Sequence, residues 1–103
     1  PSTVLNVVVN VLDFGMSPRE AVDAPRWHHQ WLPDRLQFER LPDPTYQEVI
    51  KDLRKRGHMF SDEVERLGDG YRRQGDAHTI LIRDGVIQGA SDWRRTVGKA
   101  AGW

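Results

Sequence analysis

The sequence predicts an α+β fold in which helices pack on a mainly antiparallel sheet. Three observations carry that expectation: the apolar run "TVLNVVVNVLDF" at residues 3 to 14, the capped stretch "DPTYQEVIKDLRKRG" at 43 to 57, and two strand-like runs, "AHTILI" and "VIQGAS", on either side of Asp84-Gly85. At 103 residues, with no internal repeat, linker or low-complexity tract, residues 1 to 103 read as a single unit with one modest core.

The first element is a helix over residues 3 to 14. Its valines favour a strand, but the run is long for one, and Asn6, Asn10 and Asp13 recur at helical spacing as a polar line on a segment otherwise apolar on most faces. Such a helix is expected to be buried on most sides. Gly15 follows at the place of a left-handed cap. Next, "SPRE" puts Ser17 at an N-cap, Pro18 at the first helical position and Glu20 where its side chain reaches back, so a short helix runs through Ala21 and Val22 until Pro25 stops it.

"DAPRWHHQWLPD" then leaves that helix in extended form, with Trp27 and Trp31 expected to pack a corner. "RLQFE" alternates as a half-buried strand. In "DPTYQEVIKDLRKRG", Asp43 is the cap, Pro44 opens the helix, Tyr46, Val49, Ile50 and Leu53 share a face, and Gly57 ends it. "HMF" is a short strand candidate, residues 61 to 76 a charged, Gly-containing loop. Asp84-Gly85 supplies the positive φ angles of a tight hairpin turn, Gly89 next to Ala90 suggests a close approach of another backbone, and "SDWRRTVGKAAGW" has turn composition.

Composition narrows the chemistry. Fifteen Lys and Arg balance fifteen Asp and Glu, which gives no electrostatic reason to bind nucleic acid or an anionic membrane. The clusters "KDLRKR" and "YRR" read as solvated faces, the first suited to a helix C-terminus. No cysteine excludes a disulfide framework and a thiolate zinc site, and no apolar stretch approaches a membrane span. His28 and His29, adjacent in an extended segment, point to opposite sides and cannot chelate one ion together. With His58 and His78 they form no metal-ligand spacing, and no serine or threonine sits in a nucleophile elbow or beside a phosphate-binding loop. The histidines read as structural. Neither a metal nor a cofactor is expected, and no self-contained active site emerges from the residues alone.

The string "NVVVNVLDFGMSPREAVDAPRWHHQWLPD" resembles a stretch of the γ-glutamyltransferases, in which a long hydrophobic helix leads into "EA..APR.HHQWLPD". The resemblance resumes at "KRGH" and at "GASDWRR" with "GKAAGW", similar to the family's closing "GasDPR...G.a.Gy". It implies a partial αββα sandwich of the N-terminal-nucleophile hydrolase type. It further implies that the chain is the C-terminal part of the small subunit of a self-cleaving heterodimer, as a start at Pro1 without methionine also suggests. The nucleophilic threonine, the serine pair and the oxyanion glycines would then lie upstream, Thr3 would not be the catalytic threonine, and the fragment alone would be inert.

What the resemblance carries onto this chain is support: Arg26, Asp92 and Arg94 match residues that hold the subunits and the processing site in shape, and no catalytic residue is matched. Trp93 stands where the family has Pro, which puts the turn before Arg94 in question; Trp27 and Trp103 replace other aromatics. The implied partners are the remainder of the small subunit and the large subunit, with a γ-glutamyl substrate such as glutathione bound only by the whole enzyme. The implied location is the periplasm or cell surface. A different reading stays open: a free-standing interaction module that self-associates through an exposed face of the first helix.

Overall fold

In the computed structural model, which describes residues 1–39, 44–60, 74–94 and 98–102, the chain forms two compact units, Pro1–Ala24 with Gln74–Trp103, and Pro25–Arg73. In order, the elements are α1 (Ser2–Leu12), α2 (Pro18–Asp23), β1 (Trp27–His28), β2 (Gln37–Phe38), α3 (Pro44–Lys55), β3 (Thr79–Arg83) and β4 (Val86–Ala90).

The first unit layers helices on a hairpin. α1 packs on α2, and α2 packs on β3 and β4. The α2 start is the capping box expected from "SPRE": Ser17 Oγ accepts from the Glu20 N–H and the Glu20 carboxylate accepts from the Ser17 N–H. β3 and β4 pair antiparallel from Thr79 opposite Ala90 to Arg83 opposite Val86. Asp84 and Gly85 both have positive φ, 52° and 76°, as a two-residue turn that follows the strand twist requires. Directly opposed residues share a face, so Leu81 and Ala90 point into the core with Val7, Val11, Ala21 and Val22. Ile80, Ile82 and Ile87 point the other way and are 72%, 69% and 70% exposed.

α1 is a helix as expected, but not one buried on most sides. Val4, Leu5, Val8 and Leu12 are exposed, whereas Asn6 is buried beside Val7 and Val11. Asn6 and Asn10 of the polar line lie on the packed side, while Asp13 at its end is exposed. Asn6 Nδ2 donates to the Ser2 carbonyl at 2.6 Å and Asn10 Nδ2 to the Ala21 carbonyl on α2 at 3.4 Å, so the amides are satisfied inside the unit. Gly15 has φ +66° beyond the helix end, and the Met16 N–H returns to the Asn10 carbonyl.

The second unit is a short sheet against a helix. β1 and β2 pair antiparallel, Trp27 opposite Phe38 and His28 opposite Gln37. Leu36 forms a single parallel bridge with Phe60, so "HMF" supplies one bridge residue in place of a strand. Leu36, Phe38, Ile50 and Phe60 form the core, with Tyr46 and Leu53 packed against it. Val49 lies at the edge of the α3 stripe and is exposed. Asp43 and most of the predicted 61–76 loop lie outside the described residues.

Candidate functional site

A densely bonded polar centre of the first unit is Asp92 with Arg94, just beyond β4. Both side chains are almost completely buried, Arg94 at 1% residual exposure. Arg94 Nη1 donates to the Val22 carbonyl at 2.6 Å and lies 3.2 Å from Asp92 Oδ1, while Nη2 donates to the Ala24 carbonyl at 2.8 Å. These carbonyls belong to the last turn of α2, whose terminal acceptors have no partner within the helix. A planar guanidinium serves several such acceptors at once, which an ammonium does not.

Asp92 completes the clamp. Its Oδ2 accepts from the Ala77 N–H across the hairpin at 2.8 Å, and Oδ1 accepts from the Arg94 N–H at 3.0 Å. The second bond closes a turn around Trp93 through the aspartate side chain. That turn therefore forms without proline, and Trp93 lies under the Arg94 guanidinium, 5.0 Å from its ring centroid. Arg26 belongs to the second unit and is buried there with Glu39. Its N–H donates to Glu39 Oε2 at 3.0 Å, and its carbonyl accepts from the Glu39 N–H at 2.8 Å.

One grouping went unread in the sequence. Ser91 Oγ lies 3.1 Å from His78 Nδ1, and His78 Nε2 lies 3.4 Å from Asp76 Oδ1. The hairpin register extends to place 78 opposite 91, so the Asp84-Gly85 turn was the signal that could have found it. A nucleophile needs room for a substrate and donors for an oxyanion. Here Gly98 lies over the pair: a Cβ on it would collide with Ser91 Oγ and sit 2.8 Å from His78 Cε1. The grouping ties the chain after β4 to the chain before β3.

His28 and His29 do not converge on one point. His28 Nε2 meets Gln30 Oε1 at 3.1 Å, and His29 Nε2 meets Asp34 Oδ1 at 3.0 Å. Trp27 and Trp31, expected to pack the corner, are exposed. The turn between them is built by hydrogen bonds, with the indoles left outside. Among the described residues no three His, Cys, Asp or Glu side chains group as metal ligands, and no helix is long and apolar enough to cross a membrane.

A helix layer on an antiparallel hairpin, clamped by a buried arginine, is one side of the layered sandwich that N-terminal-nucleophile hydrolases use. The chain belongs to the γ-glutamyltranspeptidase family, whose model matches residues 1–103. It is 36% identical over 103 residues to the glutathione hydrolase proenzyme of Escherichia coli K12, covering 99% of this chain and 16% of that protein. The glutathione hydrolase proenzyme of Pseudomonas sp. A14 is 30% identical over 105 residues, covering 99% and 18%. Among solved structures, an acivicin-inhibited γ-glutamyltranspeptidase superposes with a TM-score of 0.69 at 36% identity, over 91% of this chain and 47% of that one. The Pseudomonas nitroreducens enzyme bound to L-DON gives 0.69 at 28% identity, over 97% and 49%. The chain thus spans less than a fifth of the curated relatives and about half of the solved chains.

Proposed function

We propose that these residues are the C-terminal part of the small subunit of a parent enzyme that transfers or hydrolyses the γ-glutamyl group of glutathione-like substrates. The observation that carries this reading is a family match along the whole chain that covers 16% of the E. coli relative, combined with apolar surfaces left bare on α1 and the hairpin. In the parent, a threonine upstream of Pro1 attacks the γ-amide carbonyl, the amine leaves, and water or an amino acceptor releases the glutamyl group from the acyl-enzyme. The present residues contribute no reacting atom.

Their part is support. Asp92 and Arg94 lock the end of α2 to the hairpin, so that the helix layer holds its shape, and Arg26 with Glu39 secures the start of the second unit. The acivicin-inhibited relative is described as revealing critical roles for its own C-terminus in autoprocessing and catalysis, which supports extending such a role to this chain. The test is hydrolysis of a γ-glutamyl anilide by the 103-residue chain and by the full-length parent. Turnover by the parent and none by the chain is expected; turnover by the chain alone would overturn the upstream placement of the chemistry.

The exposed Val4, Leu5, Val8 and Leu12 of α1 favour one other reading, a free-standing module that self-associates. Sedimentation of the 103-residue chain separates the two. A monomer at all concentrations removes the module.

A further inference from the structure

The connection between β1 and β2 holds a tryptophan in a backbone conformation that bulky residues rarely adopt. Trp31 has φ +72°, and the Leu32 N–H closes onto the Gln30 carbonyl at 2.9 Å. A bond across one residue of positive φ is a γ-turn of the strained hand. Neighbouring side chains secure it. His29 Nδ1 accepts from the Trp31 N–H at 3.1 Å while its Nε2 meets Asp34. Gln30 Nε2 donates to the Leu32 carbonyl at 3.0 Å while its Oε1 meets His28. The paired histidines are components of the turn, and the turn presents apolar surface: Trp31 is 75% exposed and Leu32 70%.

Backbone strain kept in place by this many local bonds, beneath an indole that no described residue covers, points to recognition. We propose that the Trp31-Leu32 tip is a preformed anchor that seats in an apolar pocket on the part of the parent enzyme outside these 103 residues. The proposal rests on the reading of the chain as part of a γ-glutamyltransferase. The match spans the loop, yet the chain makes up 16% of the E. coli relative and 47% of the solved chain. Most of the surface such a tip could meet therefore belongs to the unmatched remainder.

The chemistry of the loop fits a dry protein pocket. Its polar side chains bond to one another, so the occupant has to supply only apolar contact, and a tryptophan held rigid loses little freedom on docking. Charge disfavours a lipid surface. Asp34 is the exposed ion beside the tip, with its side chain 84% exposed, and Arg35 is engaged with the Phe60 carbonyl. Anionic headgroups attract lysine and arginine and repel a carboxylate.

The experiment uses the full-length parent labelled with 5-fluorotryptophan, the Trp31 resonance being assigned by Trp31→Phe. A 19F shift unchanged between H2O and D2O is expected, together with a lowered thermal midpoint of the parent for Trp31→Ala, partly restored by Trp31→Phe. A full solvent isotope shift in an active wild-type parent overturns the anchor while leaving the functional reading intact. A parent without γ-glutamyl turnover overturns the functional reading and the proposal with it. Protection of Trp31 that appears only on binding vesicles of phosphatidylglycerol and phosphatidylethanolamine, or only on dimerisation of whole parents, assigns the tip elsewhere and also overturns the proposal.

Discussion

Replacing Arg94 by alanine should remove a large share of the chain's stability. The guanidinium is the donor to the buried Val22 carbonyl of α2 and the part-buried carbonyl of its C-cap Ala24, and the counter-charge to Asp92, whose side chain is 0% exposed. Breaking a buried pair from one side costs about 3 to 5 kcal/mol, and an orphaned buried acceptor about 1 to 3 kcal/mol. These overlap, and Asp92 keeps the Ala77 and Arg94 N–H bonds, so the expected loss is about 4 kcal/mol against roughly 5 to 15 for a whole domain. With a urea slope of about 2 kcal/mol/M, the midpoint of the 103-residue chain should fall by about 2 M, followed by far-ultraviolet circular dichroism.

Arg94→Lys should fall between, because an ammonium cannot satisfy the same fork of acceptors. Adding Asp92→Asn to Arg94→Ala should cost less than the two changes summed, since the charge left unpaired is then gone. A loss below about 1 kcal/mol for Arg94→Ala, within reach of ordinary surface changes, would refute the clamp.

Gly75 has φ +69° and the Thr3 side chain occupies the place of its missing Cβ, so Gly75→Ala should cost about 2 kcal/mol. Thr3→Ala in the same chain should recover part of that in thermal melts, and a further loss would contradict the collision. Ser17→Ala removes the Oγ acceptor of the α2 capping box while the residue 17 N–H keeps its bond to Glu20, and should cost about 1 kcal/mol; an unchanged unfolding midpoint would count against it. Ile82→Lys should leave the stability of the 103-residue chain within about 0.5 kcal/mol, yet lower the yield of assembled parent enzyme. Normal assembly would show that this face meets nothing.

The hairpin was the most legible part of the sequence, because Asp84-Gly85 fixes both the turn and, through it, every pairing from Arg83–Val86 to Thr79–Ala90. Carried two positions further, the same register brings Ala77 to Asp92 and His78 to Ser91. The caps of α2 were equally local and equally legible. Arg94 was legible only through the family resemblance, as a support residue; its carbonyl acceptors lie 72 and 70 residues away, beyond any periodicity. The DAPRWHHQWLPD corner was misread as packed because tryptophans usually seek burial. Its local hydrogen bonds hold the shape without them.

The inversion in α1 has a physical cause that also bears on function. Sequence patterning assigns polar residues to water, but an asparagine whose amide reaches a neighbouring carbonyl is stable at a seam, as Asn6 and Asn10 are. The valines and leucines so displaced point outward, each forgoing part of the roughly 1.5 to 3 kcal/mol that full burial would contribute. Ile80, Ile82 and Ile87 do the same on the outer face of the hairpin. Layered folds bury both faces of an apolar sheet, and a second sheet at about 10 Å is the usual cover. An αββα sandwich supplies that cover, so the faces left bare here are the ones such an architecture would close. Their arrangement supports reading the chain as a structural layer of a larger γ-glutamyl enzyme, with the buried Arg94 clamp there to keep that layer rigid.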